Sequence, residues 1–231
     1  SFRRSRRVDG FPNSQLRGPA QVPTSALDTS KVNLRRATYF LDIHRDASTG
    51  PGAPNKKLRE LPRSAVVFAV GALDAYLSEV AAEVMVSQFG NGTTTQESRK
   101  MLASIQKELP TLAIELAMAE PGLDRAEHIR KQIVEHFYDK VSNHGASAVA
   151  TTVIRMGAKP GPVWSTVEKA GHADPQARLE SMTRRRHAIV HRGKAVRTTR
   201  QLAHRCVLLA GAICDSVDEI AVDAMKTAAS P

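Results

Sequence analysis

The stretch 184–193 reads Arg-Arg-Arg-His-Ala-Ile-Val-His-Arg-Gly and holds the side chains of this chain best suited to acid–base chemistry. His187 follows Arg186 directly, and His191 comes one helical turn after His187. A guanidinium keeps its positive charge at physiological pH, and an imidazole titrates around neutrality. Such groups together can bind a phosphate and move its protons, so we predict phosphate chemistry for this segment.

The sequence around this stretch is strongly basic. Between Glu180 and Asp215 there is no acidic residue. The Lys and Arg residues of the same interval are Arg184, Arg185, Arg186, Arg192, Lys194, Arg197, Arg200 and Arg205. The whole chain carries a formal net charge of +10. This charge favours a polyanionic partner, either nucleic acid or an anionic membrane.

Two simpler interpretations of the stretch stay open. A basic helix end is favourable in itself, because cations near a helix C-terminus interact well with the macrodipole. His187 and His191 also have metal-ligand spacing, and His172 or His204 could supply a third ligand. The stretch has no carboxylate, and the positive charge around it opposes a dication, so we expect no metal and no cofactor.

Helical periodicity dominates the chain. A long helix with Pro62 in its first turn and its end near Phe89 has one apolar seam: Val66, Val70, Leu73, Leu77, Val80 and Val84. The other predicted helices run from Thr29 or Ser30 to Ala47, from near Thr95 with a break at Pro110, from Leu123 to Asn143, from Pro175 behind an Asp174 cap to Gly193, and from Thr198 to Thr227. Residues 146–173 are ambiguous, since Val149–Ile154 fits a short helix or a strand, and Trp164 fits a helical turn that it anchors. We predict an all-α, antiparallel bundle of about five to seven helices.

Length and composition fit one domain with a real core, because 231 residues are 42% hydrophobic. We assign this domain to residues 29–231, and residues 1–28, rich in Arg, Pro and Gly, to a flexible basic arm. The chain has no run of about 18 apolar residues, so we expect no membrane-spanning helix. Cys206 and Cys214 would lie about 12 Å apart on one helix, too far for a disulfide. Reduced thiols fit a cytoplasmic protein.

The order of Arg186, the polar His187, three further residues and His191, near a helix end and before a long last helix, resembles the motif of the HEPN family. The next two residues, Arg192-Gly193, resemble the group called RiboL-PSP-HEPN, and so does the stretch 71–77 in the long helix, Gly-Ala-Leu-Asp-Ala-Tyr-Leu. The helical layout is similar over about residues 30–228, and the specific likeness lies within 184–193.

The resemblance implies a metal-independent ribonuclease of the kind common in prokaryotic toxin and defence systems. A 2′-hydroxyl would attack its own phosphate and leave a 2′,3′-cyclic phosphate and a 5′-hydroxyl. His191 would be the general acid or base, Arg186 would stabilise the pentacoordinate phosphate, and His187 would orient Arg186 or contact the phosphate. The basic residues expected to bind the RNA backbone are Arg184, Arg185, Arg192, Lys194 and Arg197.

Helix geometry restricts how such a site is built. Residues five positions apart on a straight helix point about 140° away from each other. Arg186 and His191 therefore converge only through a distortion near Gly193 or in a site shared by two chains. The resemblance implies the second arrangement, a homodimer whose motifs face each other, with an antitoxin protein as a possible further partner.

Other functions fit the same residues. The chain could be a non-catalytic HEPN module that binds nucleic acid or nucleotides, or a helical protein whose basic face docks an acidic protein. Asp74 lies beside the apolar seam of the long helix. Its carboxylate is either solvent-facing or locally paired, or it supports the site by holding Arg186 or His191.

Overall fold

The computed structural model describes residues 22–48, 55–108, 110–111, 114, 117–118, 122, 124–140, 145–192 and 196–228. Regular structure within these ranges is entirely helical, with eight α-helices. The helices are α1 (Ser25–Ala47), α2 (Lys56–Gly90), α3 (Gln96–Glu108), α4 (Arg125–Lys140), α5 (Ala146–Arg155), α6 (Gly161–Lys169), α7 (Pro175–Arg192) and α8 (Arg200–Ala228). The chain is therefore an all-α bundle, as predicted, although the eight helices of the described ranges exceed the expected five to seven. The ambiguous residues 146–173 form two helices and no strand.

The longest helix, α2, is the centre of the bundle. It packs against α1, α4, α5, α7 and α8. The six seam residues predicted for it are all buried. The helix begins earlier than predicted, because the side chain of Asn55 accepts a hydrogen bond of 3.2 Å from the backbone N–H of Lys57. Pro62 consequently lies inside α2, where it is buried, and not in its first turn.

Among the described helices, α2 is long and apolar enough to cross a membrane, judged by length and composition. Its most apolar 18-residue window has a mean hydropathy of 1.6, and 61% of that window is buried in the bundle. Length and composition alone do not show that the helix crosses a membrane, so the expectation of no membrane-spanning helix stays a prediction. Buried alanines such as Ala72 and Ala81 widen the apolar seam around the helix, as expected for a helix packed on most sides in a core.

The first helix also begins before the predicted caps Thr29 and Ser30, inside the stretch assigned to the arm. Thr24 caps it, since the N–H of Leu27 donates to Thr24 Oγ1 at 3.1 Å. The Thr24 hydroxyl donates in turn to the buried carboxylate of Asp218 in α8, 194 positions away in sequence. Local sequence could not show this contact. Residues 1–21 of the predicted arm lie outside the described residues.

The motif helix α7 runs without a break from Pro175 to Arg192. Pro175 begins it as predicted, but Asp174 before it has a φ of 49°, unlike the extended conformation of an ordinary N-cap. Beyond the end of α7, Arg63 of α2 donates from Nε to the carbonyl of Val196 at 2.9 Å. The segment that leads from α7 to α8 is therefore held against the early part of α2. Gly193, the predicted stop of α7, lies outside the described residues.

The ends of α3, α4 and α8 can be compared with their predicted positions. The third helix ends at Glu108, before Pro110, and Leu123 and Asn143, the predicted ends of the fourth, lie outside the described residues. The last helix starts at Arg200 and not at Thr198, because Thr199 Oγ1 accepts the N–H of Leu202 at 3.1 Å.

Trp164 is buried in the core, as predicted. The cysteines Cys206 and Cys214 are buried and free, and burial raises the pKa of both thiols.

Candidate nucleic-acid interface

The side of α7 that faces the bundle carries an arginine at a position where helical periodicity predicts a core residue. Pro175, Leu179 and Met182 are the buried residues of this helix. Continuing their spacing of four and three residues along the helix leads to Arg186 and then to Ile189, both half-buried. Arg186 therefore belongs to the side of α7 that faces the bundle, and its guanidinium is partly shielded from water.

The two histidines of the motif lie on a different, solvent-facing side of α7. His187 and His191 are both exposed. Their ring centroids are 4.8 Å apart and their planes are inclined at 39°. Val190 beside them is 47% exposed. The histidines thus share one helix face, as their spacing predicts, and both imidazoles can reach a phosphate that approaches from solvent.

Arg186 and His191 do not converge within one chain. Because α7 is unbroken from Pro175 to Arg192, the five-residue separation directs the two side chains about 140° apart. The half-buried state of Arg186 and the exposure of His191 agree with this divergence. A distortion of the helix up to Arg192 is therefore ruled out as the way to bring them together, and a site shared between two chains stays a prediction.

Asp74 projects from nearly the same side of α2 as Arg63. Positions 63 and 74 are three helical turns apart and project within about 20° of each other. Arg63 bonds to Val196 in the segment that follows α7, and α7 itself also packs against α2. Two other carboxylates of α2 serve different neighbours, since Glu79 pairs with Arg130 of α4 and Glu83 accepts N–H groups at the start of α1. Asp74 itself is half-buried.

The predicted RNA-binding residues divide into two groups. Three of them, Arg184, Arg192 and Arg197, are exposed to solvent, so a polyanion can approach their guanidinium groups. Arg185 is half-buried, and its Nη1 donates to the carbonyl of Arg197 at 2.8 Å. This contact ties α7 to the segment that leads into α8, so Arg185 also has a structural role. Lys194 lies outside the described residues.

A metal ligand set is absent from the described part of the chain, in which no group of three His, Cys, Asp or Glu side chains is placed to hold an ion. His172 and His204, the third ligands considered for the pair of His187 and His191, do not complete such a group. The chemistry that the described site offers is therefore that of imidazoles and guanidiniums on a basic surface.

Sequence reasoning missed Arg63, which fixes the segment after the motif helix. Its partner Val196 is 133 positions away. The only local signal is Glu60, one turn earlier, which pairs with the same guanidinium. That pattern is common on exposed helix faces and carries no information about a distant carbonyl.

Comparisons of the chain with protein-family models, with curated protein sequences and with solved structures give no match.

Proposed function

We propose that this protein is a metal-independent endoribonuclease of the HEPN type. The observation that carries the proposal is the pair of exposed imidazoles, His187 and His191, on a helix whose inner side holds Arg186. These are the residue types and positions of the HEPN motif that the sequence resembles. The surface around them is basic, which favours a nucleic-acid backbone over a neutral substrate.

The reaction needs no group beyond these side chains. An imidazole of His191 takes the proton from a 2′-hydroxyl as its oxygen attacks the adjacent phosphorus. The bond from phosphorus to the 5′-oxygen breaks, and a protonated imidazole supplies a proton to that oxygen. Such transfers contribute about 10²–10⁴-fold to a rate. Arg186 balances the charge that develops on the phosphate oxygens. The products are a 2′,3′-cyclic phosphate and a 5′-hydroxyl.

We infer that Asp74 positions Arg186. Both residues are half-buried, and they lie on two helices that pack against each other. A guanidinium at a core-facing position is costly without a carboxylate or another acceptor beside it. Asp74 would hold the plane of the guanidinium while leaving its outer N–H groups for the phosphate. Its part in the reaction is therefore indirect.

The divergence of Arg186 and His191 supports a site built by two copies of the chain. In a two-fold dimer the α7 helices of the two copies meet, so the exposed histidine of one copy can approach the half-buried arginine of the other at the edge of the interface. The exposed Val190 between the two histidines gives this face an apolar contact point. We propose a homodimer through α7. A role as a toxin or defence effector, restrained by an antitoxin, follows from the HEPN resemblance.

A second candidate is a nucleic-acid-binding HEPN module without turnover. It is favoured by the same divergence, because a single chain does not present the arginine and the histidine together. RNA binding and RNA cleavage by wild type and His191→Ala distinguish the two. Cleavage that is lost while binding is retained identifies the nuclease. Absence of cleavage by dimeric wild type, with weaker binding by the variant, identifies the module.

A further inference from the structure

A cleft of about 250 Å³ opens between α7 and α8, away from the two histidines. Arg178 and Arg185 line it from α7. They project about 120–180° around the helix from His187 and His191. The cleft is thus a different surface from the proposed cleavage site, although both are built on the same helix.

The floor of this cleft is apolar. Met182 and Leu209 lie at its base with 2% and 3% of their surface exposed, and Leu202 and Cys206 complete it. Burial raises the pKa of the Cys206 thiol to about 11, so this side chain is neutral at physiological pH. A floor of this kind accepts an apolar or aromatic group of a ligand.

The rim of the cleft is cationic. It carries Arg178, Arg185 and Arg205, together with His172, and no lining residue is a carboxylate. Neither Arg178 nor Arg205 forms a salt bridge within the described part of the chain, and both are exposed. Like charges gathered around one opening repel one another, and an anion between them relieves that repulsion. The fork of a guanidinium matches the oxygens of a phosphate.

We propose that this cleft binds one nucleoside phosphate, with the phosphate on the arginines of the rim and the base on the apolar floor. The volume of about 250 Å³ lies just below the roughly 300–1,000 Å³ of pockets for drug-sized molecules, so the cleft has room for no more than one small ligand. The ligand is either a free mononucleotide or a phosphate-bearing terminal nucleotide of an RNA chain. The inference does not depend on ribonuclease activity.

Calorimetric titration of the full chain tests the site with three probes: adenosine 5′-monophosphate, adenosine and inorganic phosphate. The nucleotide should bind, and each of its two parts should bind at least about tenfold more weakly. Arg205→Gln removes a charged contact worth about tenfold or more in affinity. Arg125→Gln at the start of α4 is the matched control, since it removes the same charge from an exposed position elsewhere. It should leave the affinity unchanged.

The proposal is overturned if the nucleotide does not bind at millimolar concentration, if phosphate alone binds as tightly, or if Arg205→Gln binds like wild type while retaining its unfolding temperature. Competition with short RNAs identifies the source of the ligand. Displacement by a 5′-phosphorylated RNA but not by its 5′-hydroxyl counterpart supports a chain end, and displacement by neither supports a free nucleotide. Equal displacement by both contradicts a site for one terminal phosphate.

Discussion

Arg186 and His191 diverge by about 140° on the unbroken helix α7, with the arginine half-buried towards the bundle and the histidine exposed. One chain therefore cannot place both side chains on one phosphate by rotamer choice alone, because they leave the helix on different sides. In the homodimer that we propose, a second copy of the chain would supply the missing side chain to each half of the two-fold assembly.

This geometry predicts complementation between two inactive variants. Arg186→Gln and His191→Ala should each abolish RNA cleavage as homodimers. A mixed dimer contains one site with both native residues, so random mixing should restore at most about a quarter of wild-type activity. The recovered rate is measured after the variants are unfolded together and refolded, with the mixed dimer quantified by native mass spectrometry. Inactive samples that contain the mixed dimer would rule out the shared site.

Asp74→Asn should lower cleavage and stability together. The substitution keeps the shape of the side chain and removes the charge that we propose holds Arg186, which we expect to cost about 1–3 kcal/mol of unfolding free energy. The turnover number should fall more than the Michaelis constant rises, because the arginine acts in the transition state.

Glu79→Gln is the control for this experiment. It removes a carboxylate from the same helix, but that carboxylate pairs with Arg130 of α4. Its effect should be confined to stability. If Asp74→Asn retains full activity and stability, Asp74 has no place in the site.

Affinity for single-stranded RNA should decrease steeply with salt. Each phosphate contact contributes a slope of about −0.7 to the logarithm of the binding constant against the logarithm of salt concentration. Arg184→Gln and Arg192→Gln should each reduce the slope by about that amount, since both residues are exposed. Arg125→Gln should not change it. A flat salt dependence of the wild type would show that the basic face does not bind the RNA backbone.

The burial of Asp218 should make stability depend on pH. Burial raises the pKa of Asp218, and hydrogen bonds from Thr24 and Tyr76 offset this only in part. The folded chain therefore holds this proton more tightly than the unfolded chain, so the free energy of unfolding falls as pH rises from about 4 through the folded pKa.

Asp218→Asn should remove this pH dependence of the free energy of unfolding. Urea unfolding of wild type and Asp218→Asn at several pH values from 4.5 to about 8 measures the contribution of Asp218 to the free energy of unfolding. The other titrating groups are the same in both proteins, so their contributions cancel when the two curves are subtracted. An identical pH dependence of the two proteins would mean that Asp218 does not titrate differently in the fold.

The parts of the fold that sequence predicts are those decided by local periodicity. The seam from Val66 to Val84 is buried throughout, and His187 and His191 share a helix face as their spacing requires. The start of α1 was not predictable, because Thr24 is fixed by Asp218 from the other end of the chain. The structural role of Arg185 was not predictable either. Its acceptor is the backbone carbonyl of Arg197, a group that residues of every type possess.

The most direct test of the account is cleavage of end-labelled single-stranded RNA by wild type and His191→Ala in excess EDTA, with His128→Ala of α4 as the matched control. Wild type and His128→Ala should cleave and leave 2′,3′-cyclic phosphate and 5′-hydroxyl ends. His191→Ala should be slower by about 10²–10⁴-fold. Loss of wild-type cleavage in EDTA, different end groups, or equal rates for His191→Ala and wild type would contradict a metal-independent ribonuclease at this site.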